Sequence, residues 1–201
     1  MMTWNTSDLL QRWIHNVPLG RALDLGAGSG ETARWLAEQG FQVVAVENDP
    51  VSFNQLLERC AGCDVSGQLI DLLDFTYKEC TYKLILASAV LHFLKPTALW
   101  SLVDRIISAL APGGYLIADV FTTDDPGYEA FQASGTQPIE PNTYLVSHPK
   151  HYIHYFEPDE LRRLFSTLEV LEYEEFRRIR VEDEGGYAAG ASLVARKAKN
   201  G

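Results

Sequence analysis

Residues 22–30 read Ala-Leu-Asp-Leu-Gly-Ala-Gly-Ser-Gly: a short apolar run that ends in an acid and then in a glycine-rich turn. Behind it, Glu31 to Gln39 carries a helical pattern, and Gly40 is its stop signal. Nineteen residues after Gly28, at the end of the apolar run VVAV (43–46), stands Glu47. A glycine turn between strand and helix, with an acid about 20 residues further on, is a way of holding a nucleoside cofactor. The glycines let backbone N–H groups approach where a Cβ would clash. The acid accepts hydrogen bonds from the ribose hydroxyls.

The arrangement of the glycines narrows the ligand. A dinucleotide site has GxGxxG, with the helix N-terminus facing a pyrophosphate. Counted from Gly26, this turn is GxGxG, and Glu31 holds the place of the third dinucleotide glycine. A carboxylate there repels a pyrophosphate. No Gly-Lys-Ser or Gly-Lys-Thr follows, so a P-loop is excluded. The turn suits a nucleoside without phosphates that carries a short zwitterionic tail, as S-adenosylmethionine does.

Four stretches in order resemble the class I S-adenosylmethionine-dependent methyltransferases. LDLGAGSG (23–30) is similar to the family's first motif, and VVAVEND (43–49) to its second strand with the ribose acid. LIDLLDF (69–75) is similar to the adenine-contacting segment, and LAPGGYLIAD (110–119) to the Pro-Gly-Gly turn that opens the fifth strand. LILASAVLHFL and YFEPDELRRLF resemble most the small methyltransferases of the tellurite-resistance type. One departure is Lys83, in a place where many relatives carry an acid before the fourth strand.

The resemblance implies a doubly wound, Rossmann-like α/β fold: a seven-stranded, mostly parallel sheet with helices on both faces. It also implies a set of cofactor contacts. Asp24, Gly26, Ala27, Gly28 and Gly30 belong to the first motif, with Asp24 orienting the turn and the methionine ammonium. Glu47 takes the ribose, beside Asn48. Asp71 takes the adenine amine, with Leu72 offering backbone groups to the ring edge. Ser88, with Ala89 and Val90, lies at the tip of the fourth strand, near the ammonium. Each has a plainer reading: Asp24 and Glu47 as helix caps, Asp71 and Asp74 as turn residues. Replacing Glu47 by alanine is expected to weaken cofactor binding and leave the fold intact. His92 is the candidate general base, or else a histidine packed at a helix start.

Bulk properties bound the partners. With 201 residues and 46% hydrophobic content, the chain is expected to form one methyltransferase domain over 1–201. A net charge of −10 argues against a nucleic-acid partner and against an anionic membrane surface. The start, MMTWNTSDLL, has no apolar signal region, and the longest apolar run is too short to span a bilayer. The expected setting is cytoplasmic, the expected partner a small-molecule methyl acceptor, and the expected state a monomer or homodimer.

Along the chain, helical and strand periods alternate. An N-terminal helix lies within 1–17, capped by Thr6 or Ser7. Pro50 opens a second core helix. The clearest helix is 97–110, with Leu99, Leu102, Val103, Ile106, Ile107 and Leu110 on one face. Tyr115 to Phe121 reads as a buried strand. From Thr122 to Lys150 no period is visible, so 122–155 reads as an acceptor loop or lid. Leu168 to Arg180 and Tyr187 to Ala195 read as closing strands around a VEDEGG turn. No metal site is expected. His151 points away from His148 and His154 on a strand, and Cys60-Ala-Gly-Cys63 lacks a second ligand pair. Arg177, Arg178 and Arg180 read as pairing with Glu172, Glu174 and Glu175.

The reading is methyl transfer from S-adenosylmethionine to a small acceptor by in-line displacement. The alternatives are a non-catalytic S-adenosylmethionine-binding regulator or subunit, and an NAD or nucleotide-sugar enzyme. Calorimetry is expected to show S-adenosylhomocysteine binding and no NAD binding; tighter NAD binding overturns the cofactor assignment.

Overall fold

The computed structural model describes residues 6–179 and 187–199. β1 (Arg21–Leu25) is buried along all but its first residue, because it lies in the middle of the sheet. It pairs in parallel with β2 (Gln42–Glu47) on one side and β4 (Tyr82–Ser88) on the other. With β3 (Val65–Leu69), β5 (Leu110–Phe121), β8 (Glu169–Ile179) and β9 (Tyr187–Arg196), the sheet has seven strands in the order β3-β2-β1-β4-β5-β9-β8. β9 runs antiparallel to both of its neighbours, and the other pairings are parallel. This is the expected architecture.

Alternation along each strand divides the core in two. Leu23, Leu25, Ile85, Ala87, Leu116 and Ala118 face one side. They meet Leu99, Leu102, Val103 and Ile106 of α4 (Pro96–Ala109), and Leu161 and Leu164 of α6 (Glu160–Leu164). Ala22, Val43, Ala45, Leu84, Leu86 and Ile117 face the other side. There they meet Leu9 and Leu10 of α1 (Thr6–Trp13), Ala33 and Leu36 of α2 (Glu31–Glu38), and Leu56 of α3 (Pro50–Arg59). The chain runs outward from β1 to β3 and then returns to β4, so the order reverses between β1 and β4. A crevice opens there at the strands' C-terminal ends.

Several boundaries differ from the sequence reading. α4 ends at Ala109, and β5 begins at once, at Leu110 rather than Tyr115. Leu110 pairs with Tyr82, which draws the Pro-Gly-Gly segment into the strand as an irregularity of register. α1 starts at Thr6 and passes into a 3-10 turn at Ile14–Asn16. The side chains of Thr6 and Ser7, the VEDEGG turn and Arg180 lie outside the described residues. Arg177 pairs with Asp124 at 3.3 Å, not with a strand glutamate. Glu172 is instead taken by Arg12 and the Trp13 indole N–H, at 2.7 and 2.6 Å.

The largest correction concerns 122–150, which is not a structureless loop. Asp125 accepts from the Gly127 N–H at 2.8 Å and opens α5 (Pro126–Ala133), with proline in its first turn. β6 (Thr143–Ser147) and β7 (Lys150–His154) form an antiparallel hairpin. These elements are five to eight residues long, too short to show a period, and their packing is aromatic. Phe131 stacks on Tyr144 with centroids 4.3 Å apart, and Tyr128 and Tyr155 close the cluster edge-on. The unit is also tied to the body. Thr123 N–H donates to the Phe156 carbonyl at 2.9 Å, and Glu140 accepts from Thr97 N–H and Oγ1 at 3.3 and 3.2 Å, at the start of α4. None of the described helices is long and apolar enough to cross a membrane.

Tyr144 is fully buried at the centre of this cluster. Truncating a buried aromatic ring costs about 3–5 kcal/mol. In Tyr144→Ala, amide exchange is expected to accelerate across α5, β6 and β7 while β1 and β4 keep their protection. Uniform acceleration would show that the cap and sheet open as one unit.

Candidate functional site

The glycine turn leaves β1 and is anchored to β2, since Ala27 N–H donates to the Val46 carbonyl at 2.9 Å. Gly28 has φ +54°, and nothing lies within 4 Å of where its Cβ would stand. Its backbone is bare of neighbours at that point, as close approach of another group requires; of the turn's glycines, Gly26 lines the cleft described next. Gly30 has another duty. A Cβ there would come 2.9 Å from Leu56 Cγ and 3.2 Å from Cys60 Sγ, so this glycine lets α2 begin close against α3.

Beside the turn is a cleft of ≈ 270 Å³. Of the predicted residues, Gly26, Glu47, Asn48, Asp71 and Leu72 line it together. Val46, Ile70, Ala89, Val90, Phe93 and Leu94 complete the wall. Ile70, Phe93 and Leu94 were not singled out from the sequence, because a lone apolar side chain on a loop carries no signal.

Glu47 does more than face the cleft. Its Oε2 accepts from Gly28 N–H at 2.8 Å, and its Oε1 from Asn48 and Asp49 N–H at 2.9 and 2.8 Å. The cap of α3 is Asp49, which accepts from Ser52 N–H at 2.8 Å. Asp71 accepts from Asn48 Nδ2 at 3.3 Å and from Leu73 N–H at 2.8 Å, which joins β2 and β3 across the cleft floor. Asp74 is exposed and outside the lining.

Asp24 lies beneath the turn with 3% of its surface exposed, and its Oδ2 has no hydrogen-bond partner. Burial, and then the neighbouring Glu47 charge, push its carboxyl up to about 7. Ser88 does not line the cleft. Its side chain stands opposite Asp119 of β5 and hydrogen-bonds that carboxyl, while the neighbouring Ala89 and Val90 line the cleft. Asp119 is fully buried, and burial pushes it up to about 7 against the pull of Ser88, Ala89 and Arg178. The sequence reading passed over it, although it ends an apolar strand as Asp24 nearly does.

His92 is corrected as well. It is fully buried in a 3-10 turn (Leu91–Phe93), with Phe93 and Phe121 rings at 4.4 Å on either side. Burial, with His151 and His154 nearby, pushes its pKa down to about 3, so the ring is neutral and a poor base. His154 lies with Nδ1 2.9 Å from Thr143 Oγ1 and Nε2 3.1 Å from Glu160 Oε1. Cys60 Sγ sits 3.6 Å from the Gly30 carbonyl, buried at the end of α3. Among the described residues no three His, Cys, Asp or Glu side chains converge on a metal-sized point.

Comparison with known proteins adds to this geometry. A family model described as "Methyltransferase domain" matches residues 5–169. "Hemagglutinin 1" of Eikenella corrodens is 25% identical over 174 residues, 85% of this chain and 51% of that protein. The chain thus spans about half the length of the curated relatives it matches. Three solved structures share the fold. A SAM-dependent methyltransferase from Methanosarcina mazei superposes with TM-score 0.75 at 18% identity, covering 93% of this chain and 97% of that one. TehB from Haemophilus influenzae gives 0.73 at 21%, covering 98% and 63%. The 1,6-didemethyltoxoflavin-N1-methyltransferase of Burkholderia thailandensis, with S-adenosylhomocysteine bound, gives 0.70 at 23%, covering 96% and 76%.

The three hydrogen bonds on Glu47 change one expectation. Glu47→Ala strands backbone donors in a tight turn, and each buried donor left unpaired costs about 1–3 kcal/mol. Chemical denaturation is expected to show a stability loss of that order, together with weaker S-adenosylhomocysteine binding. Unchanged stability would mean the three donors find water without penalty.

Proposed function

The chain belongs to the methyltransferase domain family, and on that premise we propose that it transfers a methyl group from S-adenosyl-L-methionine to a small-molecule acceptor. One observation carries the reading: a bare glycine turn, a buried acid at the tip of β2, and the Asn48–Asp71 pair meet at one cleft where the strand order reverses. When bound, the cofactor supplies a methyl group already activated by its sulfonium. The residues fit such a ligand. The Gly28 backbone is open to it, and Asp24 is a buried acid whose Oδ2 lacks a hydrogen-bond partner, which suits an ammonium group. Glu47 has one lone-pair site left, on Oε2, for a ribose hydroxyl, and Ile70, Leu72 and Leu94 are apolar lining residues against which a flat ring can lie.

A small acceptor is supported by the confined, part-apolar cleft mouth and by the net charge of −10. The Burkholderia thailandensis methyltransferase binds 1,6-didemethyltoxoflavin together with S-adenosylhomocysteine. A cytoplasmic setting suits three unpaired thiols, Cys60, Cys63 and Cys80. The acceptor is proposed to enter from the side of the cap formed by α5, β6 and β7. The direct test is purification followed by native mass spectrometry for retained S-adenosylhomocysteine, and methyl transfer from labelled S-adenosylmethionine to a small-molecule extract. A protein that binds neither form of the cofactor overturns the reading.

The raised carboxyl of Asp24 gives a pH signature. Its folded-state pKa, about 7, lies above the unfolded value, so the native state holds a proton that the unfolded state has released. Its contribution to stability is full below the unfolded pKa, falls as pH rises, and levels off above about 7. An ammonium ligand requires the ionised acid. S-adenosylhomocysteine affinity is therefore expected to rise between pH 5.5 and 7.5, roughly the interval bracketing the Asp24 pKa, with proton release seen as a buffer-dependent heat. In Asp24→Asn both the slope and the release vanish. A flat affinity profile in the unmodified protein would remove Asp24 from the ammonium.

A further inference from the structure

His151 is the second residue of β7, half-buried, with Nδ1 2.8 Å from the Pro149 carbonyl oxygen. A carbonyl oxygen only accepts, so Nδ1 carries the proton in this bond. In the neutral ring Nε2 is then left as the lone-pair nitrogen, its tautomer set by the backbone. The same ring stands edge-on to Phe93, centroids 5.4 Å apart at 82°. Phe93 walls the cofactor cleft beside Val90 and Leu94, and 41% of its surface is exposed. His92 and His154 differ. The first is fully buried, and the second has both ring nitrogens within reach of side-chain oxygens. Of these three, His151 alone combines a preset tautomer with partial exposure and a contact to a residue of the cleft wall.

Resting on the methyltransferase reading above, we propose that His151 is the general base of the transfer. The acceptor is then a flat small molecule with a weakly acidic O–H or N–H, seated on the exposed face of Phe93. The acceptor's heteroatom forms its new bond to the methyl carbon as the carbon–sulfur bond breaks, and the sulfur keeps that bond's electron pair. The heteroatom's proton goes to His151 Nε2, and the imidazolium returns it to water. A base is required because a neutral hydroxyl or ring N–H would otherwise be left as a cation in an apolar site. Acceptors that are already anionic, such as thiolates or chalcogen oxyanions, need none. His92 lies near this ring.

Two variants separate packing from proton transfer. His151→Asn keeps a donor where Nδ1 stood and lacks Nε2; His151→Gln keeps a polar group near Nε2 that does not take a proton. The probe is 4-nitrophenol, whose phenolate absorbs in the visible. It is added to protein saturated with S-adenosylhomocysteine, at a pH where the free phenol is mostly protonated. The unmodified protein is expected to bind it and raise the phenolate band. Both variants are expected to keep their melting temperature and S-adenosylhomocysteine affinity, bind the phenol about tenfold more weakly through one lost hydrogen bond, and raise no band. Imidazole nitrogen NMR is expected to show the Nδ1–H tautomer at His151 and a shift on adding S-adenosylhomocysteine. An Nε2–H tautomer, or equal phenol binding and equal band in the variants, overturns the base. No phenol binding by the unmodified, loaded protein overturns the acceptor class. Absence of S-adenosylhomocysteine binding overturns the parent reading instead.

Discussion

The Glu47 carboxylate is the point on which the site's geometry depends. One oxygen holds the glycine turn after β1 through Gly28, and the other holds the start of the next crossover through Asn48 and Asp49. Two loops from different βα units are therefore locked to a single side chain at the tip of β2. Backbone donors on a carboxylate are charge-assisted and directional, so the turn is set before any ligand arrives. That preset geometry spares a ligand the cost of ordering the loop. The residue proposed to meet the ligand is thus one the fold already uses, so mutation at Glu47 disturbs the turn as well.

A second constraint is buried charge. Asp24 and Asp119 end neighbouring stretches of central strand, both almost fully enclosed and both pushed up to about 7. Enclosure of an acid in a sheet core is unfavourable unless something offsets it. Asp119 is held by Ser88 and the Ala89 backbone, which pull its carboxyl back down; Asp24 stands beside Glu47, whose charge pushes it further up.

The sheet was legible because its strands are buried runs bounded by glycine and proline, and α4 because six apolar positions repeat at helical spacing. The turn and its acid were legible because their spacing is tied to a mechanism. The cap was not, since α5, β6 and β7 are short and cohere through aromatic contacts among residues up to 27 positions apart, Tyr128 to Tyr155. Nor did spacing reveal that Gly30 faces α3, that Ser88 is engaged with Asp119, or that His92 is sealed between two phenyl rings. Those facts depend on which face of an element a residue takes, and that is settled by tertiary packing. The apolar lining of the cleft likewise assembles from the end of β2 and the two loops that follow β3 and β4.

Phe93 is a shared partition. One part of its ring borders the cleft and another meets the edge of His151 in the cap. A few residues later the same segment starts α4, where Glu140 of the cap clasps Thr97. Anything that settles against Phe93 from the cleft is felt on the cap side, and thermodynamic reciprocity requires the reverse.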